Sequence, residues 1–276
     1  MKRLLFLSLI MAITYTANAQ RLEFGLFGGY SVYSGDLSRQ EFGIYFDEVQ
    51  LAYGVFTRMD VAKALSARLS INYATVAGND VNGSNPDRML QFETDVIEIN
   101  LVGELNFHGT AQVNDEFKFV PYLFGGIGLY NFNPKTPFED VMIELQPLGT
   151  EGQGLPGYEQ PYNLTQINFP MGIGAKIYIN NSITIGLEIG ARMLLTDYFD
   201  DVSDAIVNYS DILNGKGLIA AQLSNPSIDP NSAAELNTVY TRGGGSNDWY
   251  FVSGLSVAFR LSSKSRGRPT DCYGKF

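Results

Sequence analysis

His108 and Cys272 are the only histidine and the only cysteine among 276 residues. One cysteine closes no internal disulfide, and the pair builds neither a Cys-x-x-Cys zinc site nor a two-histidine metal site. A serine or water nucleophile needs a base. The only histidine opens a short connection away from the acidic segments, so His108 reads as an exposed turn residue and no catalytic residue is assigned. The acidic stretch Asp197, Asp200, Asp201 and Asp204 is answered far downstream by Arg242, Asp248 and Trp249. Carboxylates so grouped are oxygen ligands suited to Ca²⁺, but they lack the regular register and fixed glycine of a calcium-binding loop. A solvated acidic rim is the simpler reading, with Asp197 placed to pair with Arg242 across the loop mouth, and neither metal nor cofactor is expected.

A second set of charges is scattered: Glu23, Arg58, Arg68, Glu98, Glu104, Lys118, Lys176, Glu188, Arg192 and Arg260. Each lies inside a segment whose polarity alternates with a period of two, the signature of a strand with two different faces. Between Ser182 and Thr196 the odd positions Ile183, Ile185, Leu187, Ile189, Ala191, Met193 and Leu195 form a hydrocarbon stripe, while the even ones include Gly186, Glu188, Gly190 and Arg192. Ile167–Ile179, Thr94–Phe107 and Trp249–Leu261 repeat the pattern, and weaker versions run over Leu22–Tyr33, Gln50–Asp60, Leu65–Val76 and Phe117–Phe132. Pro121 and Pro170 fall inside these segments, where each removes a ladder donor.

Eight such segments suit either a sandwich or a barrel, since both alternate. Three features favour an all-β, eight-stranded antiparallel transmembrane barrel. The segments are longer than the five or six residues or so of an ordinary strand and reach the roughly 9–11 needed to cross a bilayer. Mid-strand charges interleaved with glycine fit a cramped lumen. Connections alternate by parity: long ones over 34–49, 77–93, 133–166 and 197–248, short ones between. Short periplasmic turns and long outer loops are the pattern of bacterial outer-membrane barrels. Gly254, Val257 and Phe259 in the final strand also resemble the closing signal by which barrel proteins are recognised for assembly.

The chain opens with Lys2 and Arg3, an apolar run from Leu4 to Ile13, and Ala17-Asn18-Ala19, so residues 1–19 read as a secretory signal peptide. The barrel is then expected over 20–262, followed by a basic periplasmic tail over 263–276. Export by a Sec-type route to the outer membrane of a Gram-negative bacterium follows. A formal charge of −10 argues against binding nucleic acid, whose phosphates call for a positive surface.

Four motifs suggest a relationship: Gly29-Tyr30-Ser31-Val32-Tyr33-Ser34-Gly35-Asp36-Leu37, Val120-Pro121-Tyr122-Leu123-Phe124-Gly125-Gly126-Ile127-Gly128, Asp197-Tyr198-Phe199-Asp200-Asp201-Val202-Ser203, and Arg242-Gly243 with Asp248-Trp249-Tyr250. Together they resemble the PorG-like outer-membrane barrels of the type IX secretion system, over nearly the whole mature chain. The resemblance implies a non-enzymatic secretion component that works from the outer-membrane lipid with a periplasmic ring of lipoprotein and partner protein. It implies no catalytic residues.

The expectation is therefore a scaffold whose lumenal charges Glu23, Arg58, Arg68, Glu98, Glu104, Lys176, Glu188, Arg192 and Arg260 neutralise one another, Glu188 and Arg192 lying four apart on one face. The tail would dock periplasmic partners through Arg266, Arg268 and a lone thiol at Cys272. A surface adhesin or ligand receptor using the acidic outer loops is the alternative, and a gated channel a third.

Overall fold

A computed structural model describes residues 22–39, 42–46, 48–83, 85–107 and 118–261. The expected signal peptide, His108 and the basic tail lie outside the described residues.

Eight long strands form the wall: β1 (Leu22–Ser34), β2 (Gln50–Asp60), β3 (Leu65–Asn79), β4 (Gln91–Asn106), β5 (Lys118–Asn131), β8 (Thr165–Tyr178), β9 (Ile183–Leu194) and β12 (Trp249–Arg260). Every neighbouring pair is antiparallel. The order β3-β2-β1-β12-β9-β8-β5-β4 closes on itself through a β3–β4 ladder running from Leu65↔Leu105 to Asn79↔Gln91. Closure leaves no strand edge in the wall, the condition for a sheet to sit in hydrocarbon.

The faces are assigned by β4, in which burial alternates without a break over 16 residues. Ile97, Ile99, Leu101 and Leu105 are 45–56% exposed, whereas Glu98, Asn100, Glu104 and Asn106 are at most 2% exposed. Water would favour the reverse arrangement. A wall with hydrocarbon outside and charge inside spans a membrane. Among the described residues no helix is long and apolar enough to cross one, so strands do the crossing.

Both prolines lie in the wall. Pro121 pairs with Ala175 and Pro170 with Arg192. The β5–β8 pairing breaks between Gly125↔Met171 and Gly128↔Asn168, next to Pro170, which has no N–H to donate. The short turns are tight. Val61 and Ala62 donate to Leu65 O, and Asn180 Oδ1 accepts from the N–H groups of Ser182 and Ile183.

The opposite end carries the long connections, and they are folded. Beyond β5, β6 (Lys135–Phe138) and β7 (Val141–Glu144) make a hairpin joined to β4 by the Glu93↔Lys135 pair. The longest connection holds β10 (Ile206–Asn208), α1 (Tyr209–Gly215), α2 (Leu218–Ser224) and β11 (Val239–Thr241), with β10 paired to β11. Val207, Tyr209, Ile212, Ala220, Ala221 and Ile228 form its small core. Leu148 packs against both this core and the main one, fixing the connection onto the barrel end as a cap.

Candidate functional site

The lumen is closed at two levels. In the half nearer the short turns, the carboxylate of Glu104 meets three cations: Arg58 Nε at 2.8 Å, Arg68 Nε at 3.2 Å and Lys176 Nζ at 2.5 Å. Arg58 also reaches Glu23, which takes Arg260 at 2.7 Å. Arg68 turns its two terminal nitrogens onto Glu188, and Tyr122 donates to the same carboxylate at 2.7 Å. A second group forms around Glu98, which accepts from Arg192, Asn72, Asn168 and Tyr250. All these charges but the half-buried Arg260 are buried, and buried charges persist only when paired and hydrogen-bonded. The hollow left among Phe56, Arg68, Asn100, Phe124, Glu188 and Arg192 has a volume of about 20 Å³, room for roughly one water.

Nearer the cap the lumen is apolar. Inward-facing Tyr33, Ala52, Ala74, Val76, Phe92, Tyr130 and Tyr250 line it, and Phe199 descends from the last connection into their midst, fully buried. Its ring stacks on Tyr250 at 5.4 Å and contacts Phe132 at 5.3 Å. A polar latch holds this plug. Tyr33 Oη lies 2.6 Å from Asp200 Oδ2 and 2.7 Å from Asp248 Oδ1, while the Phe199 N–H donates to Asp248 Oδ2 at 3.1 Å. One phenolic proton faces two carboxylates, so the group needs a further proton to satisfy both contacts. Burial pushes the carboxyl of Asp200 well above the usual carboxylate range, with Asp36 adding to it, and burial and Asp200 do the same for Asp248.

The four long connections are tied together by two arginines. Arg242 Nη1 donates to Thr150 Oγ1 at 2.6 Å and to Asp201 O at 2.5 Å, and it pairs with Asp201 Oδ2 at 3.2 Å and Glu151 Oε1 at 3.6 Å. Glu151 in turn accepts from the N–H and hydroxyl of Ser203. Burial pushes the Glu151 carboxyl up to about 7 despite Arg242. Arg88 grips Asp80 with two nitrogens and donates to the carbonyls of Asp36 and Arg242.

The rim motif therefore needs correction. Asp200, Asp201 and Asp248 are not a solvated acidic rim: each is at most 1% exposed, under the cap. Arg242 pairs with Asp201 and Glu151 where Asp197 was expected, and Asp197 is only half-buried at the plug's edge. Trp249 parts from Asp248 because successive strand residues point to opposite faces. It lies on the outside of the wall, its ring edge-on to Phe42 at 5.3 Å. Glu188 and Arg192 reach across the lumen to Arg68 and Glu98. Among the described residues no group of three or more His, Cys, Asp or Glu side chains is arranged to hold a metal ion. Arg266, Arg268 and Cys272 lie outside the described residues. Sequence reasoning passed over Tyr33, Asp80, Arg88, Thr150 and Glu151 as site residues. Only the Asp36 and Tyr33 stretch carried a signal, through its motif.

Residues 2–216 match the family model described as a domain of unknown function, DUF6089. The chain belongs to this family. No curated protein matches the sequence. Among solved structures it is similar to the N-terminal barrel domain of Pseudomonas aeruginosa OprF, at 12% identity over 87% of this chain and 97% of that one, with a TM-score of 0.37. It is also similar to Neisserial surface protein A, at 8% identity over 88% and 97% with a TM-score of 0.40. A third is Ail, the attachment invasion locus protein of Yersinia pestis, at 7% identity over 88% and 97% with a TM-score of 0.36.

Between the cap and the wall runs a cleft of about 560 Å³, with Leu37, Leu90, Phe138 and Leu223 among its walls and Asp200 and Arg242 among its polar lining. In this member of the DUF6089 family, then, charged side chains of lumen and cap are engaged with one another, and the cleft at the cap is far roomier than the hollow in the lumen.

Proposed function

We propose that this chain is an outer-membrane barrel that serves as a non-enzymatic anchor of a protein-secretion assembly of the type IX kind. The observation that carries the anchoring role is the double seal. A charged network and an aromatic plug fill a lumen inside a wall whose outer face is hydrocarbon, so the barrel offers its partners surfaces and not a passage. The non-enzymatic reading is supported by the cap, whose acids and arginines are committed to mutual pairing. The secretion role draws on the resemblance to PorG-like barrels. The partner-docking role, with a periplasmic ring of lipoprotein and partner protein, draws on the basic segment from Lys264 to Phe276, which carries Arg266, Arg268 and Cys272. Its location in a Gram-negative outer membrane after Sec-type export draws on the leader-like first nineteen residues and the parity of the connections.

The test is affinity purification from crosslinked membranes. Deleting Lys264–Phe276 is expected to strip periplasmic partners from the barrel, whereas trimming Leu213–Asn237 leaves secretion intact. Recovery of the full partner set without the tail refutes tail docking.

A second reading, a surface receptor or adhesin, is favoured by the cleft at the folded cap. It predicts the opposite dependence, with loss on trimming Leu213–Asn237 and none on removing the tail.

A further inference from the structure

Outward positions of the wall are exposed or half-buried almost everywhere, and the buried exceptions Val32, Ser34 and Ala77 lie close together. Val32 on β1 and Ala77 on β3 point outward by the alternation of their strands, yet they are only 6% and 7% exposed. Their cover is the connection after β1. Tyr45 and Glu48 enclose a small hollow together with Val32, Ala77 and Asn79. The ring of Phe42 stands edge-on to Trp249 at 5.3 Å and to Phe251 at 6.0 Å, the register partners of Ser34 and Val32. The Gly43 N–H donates to Ser34 Oγ at 2.9 Å and pins the segment to the end of β1. The connection thus doubles back over the outside of the wall as a second layer.

This layer moves the apolar surface outward without removing it. Along residues 42–46 exposure alternates: Phe42, Ile44 and Phe46 are exposed, with Phe46 at 75%, while Gly43 and Tyr45 are half-buried. The five residues carry no charge. An exposed apolar strip on a segment free to point its side chains elsewhere calls for a matching environment. Its surroundings identify that environment. Phe42 is in contact with Phe251 and Trp249 on the outer wall, and exposed Tyr30 and Leu51 continue the same face. Rings at the end of a membrane strand occupy the boundary between acyl chains and headgroups.

We propose that residues 42–46 form a lipid-embedded flap, with Phe42, Ile44 and Phe46 seated in the leaflet that surrounds the capped end of the barrel. This rests on the membrane reading of the wall and adds a contact that the strands do not make. The flap anchors the first connection to lipid, while Arg88, through the Asp36 carbonyl, anchors it to the cap.

The test uses the full mature chain with Cys272→Ser, carrying Phe46→Cys labelled with an environment-sensitive fluorophore and reconstituted into phosphatidylcholine vesicles. Position 46 is exposed, so the label displaces no packing. Two further single-cysteine variants serve as references: Leu101→Cys on the lipid-facing wall and Asp229→Cys on the cap. Nitroxide-bearing lipid is expected to quench the label at position 46 as strongly as at 101, with iodide in the buffer quenching only position 229. Quenching at 46 by iodide and not by lipid, with 101 still lipid-quenched, overturns the flap and leaves this face for a protein partner. Absence of lipid quenching at 101 removes the membrane reading, and the flap with it.

Discussion

Arg68 and Glu188 meet across the lumen from strands 120 residues apart in sequence, two guanidinium nitrogens on two carboxylate oxygens at 2.5 and 3.1 Å. A fork of this kind is the strong form of an ion pair, and here it also joins Glu104 on one side and Tyr122 on the other. Arg68→Ala leaves the Glu188 and Glu104 carboxylates buried with fewer partners. The expected loss is about 3–5 kcal/mol of barrel stability. It is read as a lower urea midpoint for the heat-modifiable gel shift in vesicles. The double replacement Arg68→Met with Glu188→Leu removes both charges and is expected to recover most of that loss. A single mutant as stable as the parent shows that the fork does not support the wall.

Arg242 acts on the cap alone. Removing its guanidinium takes one partner each from Thr150, Asp201 and Glu151 and leaves the connection over 132–164 held to the one over 195–248 by fewer bonds, chiefly those of Glu151 with Ser203 and of Asp201 with Thr150 and Tyr162. Arg242→Ala is expected to expose both to protease while the strands keep their gel shift, because the hub lies outside the ladders. Equal protease resistance in mutant and parent, or loss of the gel shift, contradicts this division.

The cap carries a pH dependence whose sign follows from its carboxyls. Glu151, at about 7, and Asp200 and Asp248, also raised, bind protons more tightly folded than unfolded. Their stabilising contribution is complete below the ordinary carboxylate value and is lost as pH rises through the folded one. For Glu151 that window runs from about 4.5 to about 7. A displacement of that size corresponds to a loss on the order of 3 kcal/mol. Hydrogen-exchange protection around Ser203, corrected for intrinsic rates, is expected to fall across the window. Glu151→Gln holds the neutral form and flattens that part of the curve. Protection that is constant, or that changes identically in the variant, removes Glu151 as the cause.

The difference between what could be read from the chain and what could not is a matter of range. Alternation along Thr94–Phe107 assigns Ile97, Ile99 and Leu101 to one face and Glu98 and Glu104 to the other, because a strand's period is set by its backbone. Which acid meets which base depends on how the cylinder closes. Glu188 and Arg192 are neighbours on one face, yet Arg68 and Glu98 face them across the lumen. Tyr33 could not be matched to Asp200 and Asp248 from sequence, since they lie 167 and 215 positions further along the chain. The last connection has no strict period along its length. Its fold depends on packing such as that of Leu148 against two cores, and its acids read as solvated because nothing local signals the cap above them.

Sealing at two levels predicts that opening one gives no pore. Phe199→Ala removes the ring at the centre of the aromatic plug and is expected to cost about 3–5 kcal/mol in cap stability. The Glu98 and Glu104 groups still fill the lumen beneath it. Conductance in planar bilayers is therefore expected to stay at background in both parent and variant. Discrete openings in the variant alone would make Phe199 the gate of a channel and displace the anchoring role.

The lumen's fit also depends on glycine. The Phe124 ring lies over the inner face of β9 at Gly190, where an added Cβ would fall 2.6 Å from the ring's Cζ and 2.9 Å from Arg192 Nη1. The Arg68 guanidinium rests over the same ring at 5.2 Å. A side chain at 190 must push Phe124 into Arg68 or displace Arg192 from Glu98, and the filled lumen leaves little room for either. Gly190→Val is expected to destabilise the barrel by about 1–3 kcal/mol, and Gly190→Ala by less. Adding Phe124→Leu to Gly190→Val makes space where the clash arises and should restore part of the loss. Measured urea midpoints in which Gly190→Val matches the parent, or in which Phe124→Leu makes it worse by its full separate cost, show that ring and wall are not in contact as described.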